Sequence, residues 1–465
     1  MPKVVIVGGG ISGLSLAYRL HQAAPGVEIA VLEREERTGG AIGTEHRDGF
    51  TVERGPNGFL DNKPFAWELA HELGLQDQLV KASEAAGRNR FLFLGDRLRA
   101  LPTGPLTFLG SDVLSGHGKL SLLGELWRRR CAGDRDESVE HFFRRRIGSE
   151  AAERLGDAFT TGIYAGDPRR LSLKACFPRL VEMERRSGSL IRGFLRAASE
   201  RKTAAKSKAV SASRGNKLWS LNSGLSTLIN RLCEALPKEP IRGVKVSRVL
   251  WRHEAGWSVE GEGEGIDQWR ADAVILTCPA YEQAAILADL DPVLAQQIGG
   301  IAYNRLAVVA LGYRREDVAH PLDGFGYLAP RRTRRHLLGV QWCSSIFPGR
   351  APAGAVLLRA MCGGPDRPEM VDWPQERLLQ AVRKELFVSM GINRAPVFHH
   401  VIRWERAIPQ YHLGHPDRVA WIERRLSAWP GLFLGGNAYH GVALNDCIEH
   451  AAQLASAVAR FLIRN

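Results

Sequence analysis

Apolar and polar positions alternate in blocks from the first residues onward. Lys3–Val7 is an almost unbroken apolar run, the pattern of a strand covered on both faces. Three glycines follow, then Leu14, Ala17 and Tyr18 at the spacing of one helix face, and then a second apolar run over Val27–Leu32. The prediction for this opening stretch is strand, glycine turn, helix, strand. Helical, charged sequence dominates from Lys119 to Ala198, whereas Glu200–Lys217 has almost nothing to bury and predicts a mobile loop. A helix is expected over Gly224–Leu236, with strands over Val244–Val249, Gly256–Glu260 and Ala273–Leu276. Strands and helices mix between Leu290 and His415. Leu432–Leu434 reads as a short strand, and Ile448, Ala451, Ala452, Ala455, Ala459 and Leu462 mark one apolar face of a terminal helix. No internal repeat is visible. The chain is expected to begin and end in one α/β layer, with other material inserted between.

At 465 residues the chain exceeds one compact core, and two or three interleaved units are expected. Its 45% hydrophobic and 24% charged content is that of a folded protein. No apolar stretch approaches the roughly 20 residues that span a bilayer. Met1 runs almost at once into a strand, leaving no room for an export signal, so a cytoplasmic protein is expected. Seven scattered cysteines with no CxxC pair argue against a disulfide framework or a zinc site, and no metal is expected.

The formal charge of +13 is uneven: Lys119 to Lys217 holds 23 Lys/Arg against 12 Asp/Glu. Solvated helix surface is the plain reading of this excess, and anionic lipid headgroups or an anionic substrate are the alternatives. Nucleic acid is not expected, because no binding motif accompanies the charge.

Gly8, Gly10 and Gly13 form G-x-G-x-x-G directly after a strand and at the start of a helix. The first permits a tight turn, the second lets a pyrophosphate approach the backbone, and the third allows helix and strand to pack closely. The helix N-terminus, opened by Ile11 and Ser12, favours phosphate charge. Glu33 ends the second strand, where a carboxylate accepts hydrogen bonds from a ribose 2′-hydroxyl and repels the extra phosphate of NADP. These residues predict a Rossmann-like dinucleotide site and leave NAD and FAD open. Arg37 is expected to contact phosphate or close the turn.

Arg37 with Gly39-Gly40, then Asp48-Gly49-Phe50 and Glu53-x-Gly55-Pro56, resembles the flavin amine oxidase superfamily. So does Leu221-Asn-Ser-Gly-Leu-Ser-Thr-Leu228, followed by the strand containing Val246 and by the Ala273–Leu276 strand ending at Thr277. At the C-terminus, Gly435, Gly436, Asn437 and Gly441 allow backbone to lie against a flat ring, and the N–H groups of Val442 and Ala443 could face a flavin carbonyl edge. Five further blocks are similar to the protoporphyrinogen oxidase and coproporphyrinogen III oxidase family. They are Asn89–Gly95 with Ala100–Gly104, Thr161–Pro178, Gly324–Pro330, Ile408–His415 and Gly441–Ile448.

This resemblance implies noncovalent FAD at Gly8, Gly10, Gly13, Glu33, Arg37, Gly39, Gly40 and Gly55, with Val246 at the adenine and Thr277, Gly436, Val442 and Ala443 near the flavin. It implies oxidation of a porphyrinogen with dioxygen as acceptor, and handover of the porphyrin to a ferrochelatase. Phe325 and Leu328 would sandwich the macrocycle, Arg90 would meet a propionate, and Gly162 would keep space above the flavin. No residue stands out as a catalytic base, and His440 is read as structural. The implied division is an FAD-binding domain of residues 1–85, 217–290 and 425–465, and an inserted α+β substrate domain of 86–118 and 291–424. A mostly helical, basic subdomain of 119–216 completes it, with Trp127 offering peripheral contact with the inner face of a membrane. Protoporphyrinogen IX is the first substrate reading and coproporphyrinogen III the second. A different flavin amine oxidase or desaturase, and a carrier that holds FAD or porphyrin without turnover, are the competing classes. Oligomeric state is left open, and so is the physiological electron acceptor, where a quinone is the alternative to dioxygen.

Overall fold

A computed structural model describes residues 1–464 apart from 131–134, 207–216, 253–255 and 264–267. The nucleotide layer is a four-stranded parallel sheet in the order Glu28–Leu32, Lys3–Val7, Ala273–Leu276, Leu432–Leu434. Both faces are covered, which is why its strands are continuously apolar rather than alternating. Val4 and Ile6 point into a core with Leu14, Leu16 and Leu20 of the Ile11–Ala23 helix and Ile448, Ala451 and Ala455 of the Leu444–Arg464 helix. Val5 and Val7 point to the opposite face, against Trp257 and Val259 of an antiparallel sheet formed by Lys245–Arg252, Gly256–Glu262 and Gln268–Ala271. The first and last segments of the chain therefore share one layer, as the periodicity predicts.

A second, seven-stranded sheet runs Phe398–Trp404, Leu306–Arg314, Ala355–Gly363, Leu337–Trp342, Gly326–Leu328, Phe91–Leu94, Arg97–Ala100. Its pairs are antiparallel except one: Gly326–Leu328 lies parallel to Phe91–Leu94, with Leu328 opposite Leu92. The Phe91–Ala100 hairpin thus completes a sheet whose other strands come from beyond residue 305.

Short helices fill the region between. Val139, Phe142, Phe143, Tyr164 and Phe177 form their core. Two charges are buried inside it as a pair: Arg146 and Glu125 are both 0% exposed. Glu125 also accepts hydrogen bonds from Ser189 Oγ at 2.5 Å, Leu190 N–H at 2.7 Å and Ile191 N–H at 3.2 Å, so it caps the helix that follows. That helix, Leu190–Lys206, overturns part of the expected loop over Glu200–Lys217. Its Ala-, Lys- and Arg-rich sequence has high helix propensity, and Arg196 pairs with Glu200 one turn on. Positions 207–216 of the expected loop lie outside the described residues. Among the described residues no helix is long and apolar enough to cross a membrane.

Candidate functional site

The glycine turn is built as the spacing predicts, and each glycine is needed for a different reason. Gly8 has φ +110°, and its N–H donates to the Leu32 carbonyl at 2.7 Å. A β-carbon on Gly13 would lie 2.0 Å from the Gly8 carbonyl oxygen, so only glycine lets the helix close on the turn. At Gly10 the nearest atom to such a carbon is Gly40 Cα, 3.9 Å away, so this glycine faces open space. Gly39 and Gly40 form the other wall, with φ values of +107° and +57°, and Gly39 N–H donates to the Gly9 carbonyl at 2.7 Å. Ile11 and Ser12 open the 13-residue helix between these walls, and no side chain caps it. A cradle with one open glycine and uncapped helical N–H groups fits a pyrophosphate.

Glu33 is buried at the end of its strand. Its carboxylate accepts from Gly9 N–H at 2.7 Å and from Glu35 N–H at 2.9 Å, fixing the acid beside the turn. Val246, distant in sequence, is brought near in space: two residues before it, Val244 N–H donates to the Glu33 carbonyl at 2.9 Å. The Arg37 guanidinium donates to the carbonyls of Thr38, Gly40 and Ile42 at 3.3, 2.6 and 3.0 Å. It closes the turn, the second of its two expected roles. Thr277 sits beneath the turn, its hydroxyl shared between the Val7 and Gly8 carbonyls at 3.0 Å each.

At the C-terminal block, Gly436 (φ +101°) and Gly441 (φ +129°) bracket a turn that carries Asn437. Ala443 N–H lies 3.2 Å from Asp446 Oδ2, so Asp446 caps it from within the helix. Val442 N–H is the donor of this pair with no hydrogen bond to protein among the described residues. Lys63 holds the same helix end through Asp446 and Glu449, each at 2.7 Å. His440 is tied to Glu423 at 3.1 Å and packs on His450, consistent with a structural part.

Gly55 approaches the first loop so closely that a β-carbon would lie 2.1 Å from the Ala41 carbonyl oxygen. Two residues on, Asn57 is 7% exposed and its side-chain nitrogen has no partner among the described residues. A buried amide donor left open costs free energy unless something else accepts from it, which makes this loop a candidate ligand-facing segment. The sequence reading stopped at Pro56 and missed it. It also missed Arg359, 4% exposed, whose guanidinium donates to Gly55 O at 2.5 Å and Gln341 Oε1 at 3.2 Å. A lone arginine inside the apolar strand Ala355–Gly363 was the available signal. Burial pushes its guanidinium below the usual range. Glu53 and Arg350 make a second buried link, 3.7 Å apart. Burial raises the Glu53 carboxyl despite hydrogen bonds from Leu225 N–H and the Thr44 hydroxyl, and Arg350 reaches Ser220 Oγ at 2.8 Å.

Gln341 leads to the remaining predicted residues, because it pairs with Gly326 between Phe325 and Leu328. The Arg90 guanidinium lies 5.3 Å from the Phe325 ring centroid. Among the described residues Arg90 has no acidic partner. Gly162, in the helix Asp157–Tyr164, faces Leu328: a β-carbon there would lie 3.1 Å from Leu328 Cδ1. The four predicted residues thus form two contacting pairs, set at either end of one short strand. Phe325 packs toward Ile346 and Phe347, and Leu328 toward Leu92 and Leu94.

Residues 11–459 match the model of the family described as flavin containing amine oxidoreductase. A chloroplastic protoporphyrinogen oxidase of Nicotiana tabacum is 34% identical over 99% of this chain and 86% of its own. The coproporphyrinogen III oxidase of Bacillus subtilis is 30% identical over 99% of this chain and 98% of its own. A crystal structure from Exiguobacterium sp. 255-15, provisionally a protoporphyrinogen oxidase, covers 99% of both chains with a TM-score of 0.83 and 27% identity.

Proposed function

We propose a reaction from one premise: this chain belongs to the flavin-containing amine oxidoreductases, and within them to the family of protoporphyrinogen and coproporphyrinogen III oxidases. Its cofactor is FAD, and it is an oxidoreductase acting on a porphyrinogen. The finer reading is oxidation of protoporphyrinogen IX to protoporphyrin IX in haem biosynthesis, with dioxygen as final acceptor. When bound, FAD takes up two electrons per round, and three rounds convert the substrate and three dioxygens into the porphyrin and three hydrogen peroxides.

The residues of this chain supply binding, orientation and exclusion of water. The pyrophosphate would lie in the Gly8–Gly13 turn with Glu33 on the ribose, and the flavin between Gly55, Asn57 and the Gly436–Val442 turn. Phe325 and Leu328 would sandwich the macrocycle, with Gly162 keeping space above the flavin. No carboxylate or histidine is assigned as base.

The observation that carries the choice of substrate is the asymmetry of charge along the Phe325–Leu328 strand. Arg90 offers a free guanidinium at the Phe325 end. In the loop just beyond Leu328, each of the four arginines already has an acidic partner: Arg331 with Asp167, Arg332 with Glu153, Arg334 with Asp366 and Arg335 with Glu385. An unpaired cation at one end and only paired charges at the other suit a substrate with propionates on one edge and vinyls on the other. Coproporphyrinogen III, with propionates on both, would leave two carboxylates against paired charges.

The division of the chain follows the same reading. Residues 1–85, 217–290 and 425–465 hold FAD, 86–118 and 291–424 bind substrate, and 119–216 form the basic helical part. In and beside that last part, Leu106, Leu109, Leu120, Trp127, Phe194 and Leu195 are exposed, next to Lys119 and Arg128. Exposed apolar side chains interspersed with cations support peripheral attachment to an anionic membrane surface on its cytoplasmic side.

The test is porphyrin fluorescence growth in air with protoporphyrinogen IX and coproporphyrinogen III offered separately to purified flavoprotein. Faster turnover of protoporphyrinogen is expected. Rates no faster than spontaneous oxidation with both would sink the porphyrinogen reading, and preference for coproporphyrinogen would reverse the choice of substrate.

A further inference from the structure

The block Pro409-Gln410-Tyr411 belongs to neither pocket described above, yet it touches the supports of both. Pro409–Gln410 is a two-residue strand paired with Ala302–Tyr303. Gln410 is buried, and its Nε2 donates to the Tyr164 carbonyl at 3.0 Å. Tyr164 ends the helix that sets Gly162 against Leu328. The next residue, Ala165, has φ +43°, a conformation that a β-carbon resists, so the helix end has to be held in place. Asn304 shares the task, donating to the Tyr164 and Ala165 carbonyls at 2.9 Å each. Gly166 then passes so close that a β-carbon there would lie 2.2 Å from Gln410 Oε1.

Tyr411, 1% exposed, works on the other side. Its hydroxyl donates to the Asn437 carbonyl at 2.5 Å and accepts from Gly441 N–H at 2.9 Å. One oxygen thereby ties together the two ends of the turn that precedes Val442 and the terminal helix. The ring is fixed by His415, stacked at 4.1 Å, and by Tyr164 at 5.8 Å. Its backbone is fixed too, by Ser172 N–H donating to the Tyr411 carbonyl at 2.8 Å.

We infer that Gln410 and Tyr411 are paired positioning residues: Gln410 sets the substrate helix, Tyr411 sets the cofactor turn, and their adjacency in the chain fixes one relative to the other. Neither touches reacting atoms. A hydroxyl that is donor and acceptor at once satisfies two backbone groups, and phenylalanine would leave both open. The inference rests on the porphyrinogen reading only for what lies against Gly162.

The experiment uses Tyr411→Phe and Gln410→Glu, each purified with FAD. Without any porphyrinogen, Tyr411→Phe is expected to bind FAD about tenfold more weakly, from the loss of two buried hydrogen bonds, and to shift the flavin midpoint potential. Gln410→Glu keeps the shape of the side chain but cannot donate to Tyr164; it is expected to leave the flavin spectrum and potential unchanged and to raise KM about tenfold. The inference is overturned if Tyr411→Phe leaves FAD affinity and potential at wild-type values, or if Gln410→Glu disturbs the flavin as much as Tyr411→Phe does. Where Tyr411→Phe does not accumulate, fluorotyrosine at 411 keeps both contacts while making the hydroxyl a stronger donor. The potential then moves if the inference holds and stays put if it does not. Because the flavin readings need no porphyrinogen, wild-type protein inactive on porphyrinogens would defeat the substrate reading and leave the Tyr411 assignment standing.

Discussion

Gly8 through Glu33 form one continuous stretch, and almost everything that stretch offers a ligand is backbone. Arg90, Gly162 and Phe325 come from three separate stretches, and they offer side chains or the lack of one. The cofactor turn is specified by what must be absent, a β-carbon at Gly13 above all. On the proposed reading, the substrate end is specified by what has been left unpaired, the Arg90 guanidinium, set against the ion-paired arginines of the loop after Leu328. A backbone site is unforgiving to single changes, whereas a side-chain site assembled over long separations should lose function in increments.

The sharpest way to break that contrast is Gly13→Ala. With 2.0 Å to the Gly8 oxygen, the added carbon must move the helix or the turn, and loss of FAD by at least about a hundredfold in affinity is expected. Flavin absorbance after gel filtration checks it; a fully yellow Gly13→Ala protein would end the argument that the turn is sterically closed. Next in size is Glu125→Ala in the helical region. It would leave Arg146 buried with only the longer contact to Glu184, 3.5 Å away, and a stability loss of about 3 kcal/mol in urea denaturation is expected.

Arg90→Ala probes the substrate end directly. The expected result is KM raised about tenfold with kcat and flavin content near wild type, the mark of lost ground-state binding. A fall in kcat alone would mean that Arg90 does something other than meet a carboxylate. The smallest effect concerns pH. Burial holds His415 and His450 down to about 4, below the ordinary value of 6.5. Both are therefore neutral in the folded protein where the unfolded chain takes up protons. Their contribution is complete above pH 6.5 and is lost as the pH falls toward 4. Urea midpoints measured across that window should decline, and less steeply in His450→Gln than in the parent.

The same contrast explains what could be read from the sequence. The strands Ala273–Leu276 and Leu432–Leu434, the glycine turn and Glu33 announce themselves because their signals lie within a few residues of one another. The seven-stranded sheet does not, since nothing near Phe91 says that its partner is Tyr327. Arg359 and Asn57 escaped for the same reason: each looks like an ordinary residue until a distant backbone is laid beside it. Local signals also misled. Glu200 and its neighbours, read as loop from their polarity, continue a helix to Lys206 because polarity does not oppose helix formation when Ala, Lys and Arg supply it. Resemblance supplied Arg90, Phe325, Leu328 and Gly162, and the fold brings them into two contacting pairs that no periodicity could have named.

The fourth strand of the nucleotide layer, Leu432–Leu434, and the helix that packs on its first helix are made long after the glycine turn during synthesis. A ribosome that has delivered every glycine of the phosphate turn has still not delivered the wall behind it. Cofactor capture is therefore expected to wait until the segment from residue 432 onward has been made, and a chain cut short before residue 432 is expected to carry the glycine turn without holding flavin. Yellow colour in this protein is thus expected to double as a report that this distant strand and helix have docked.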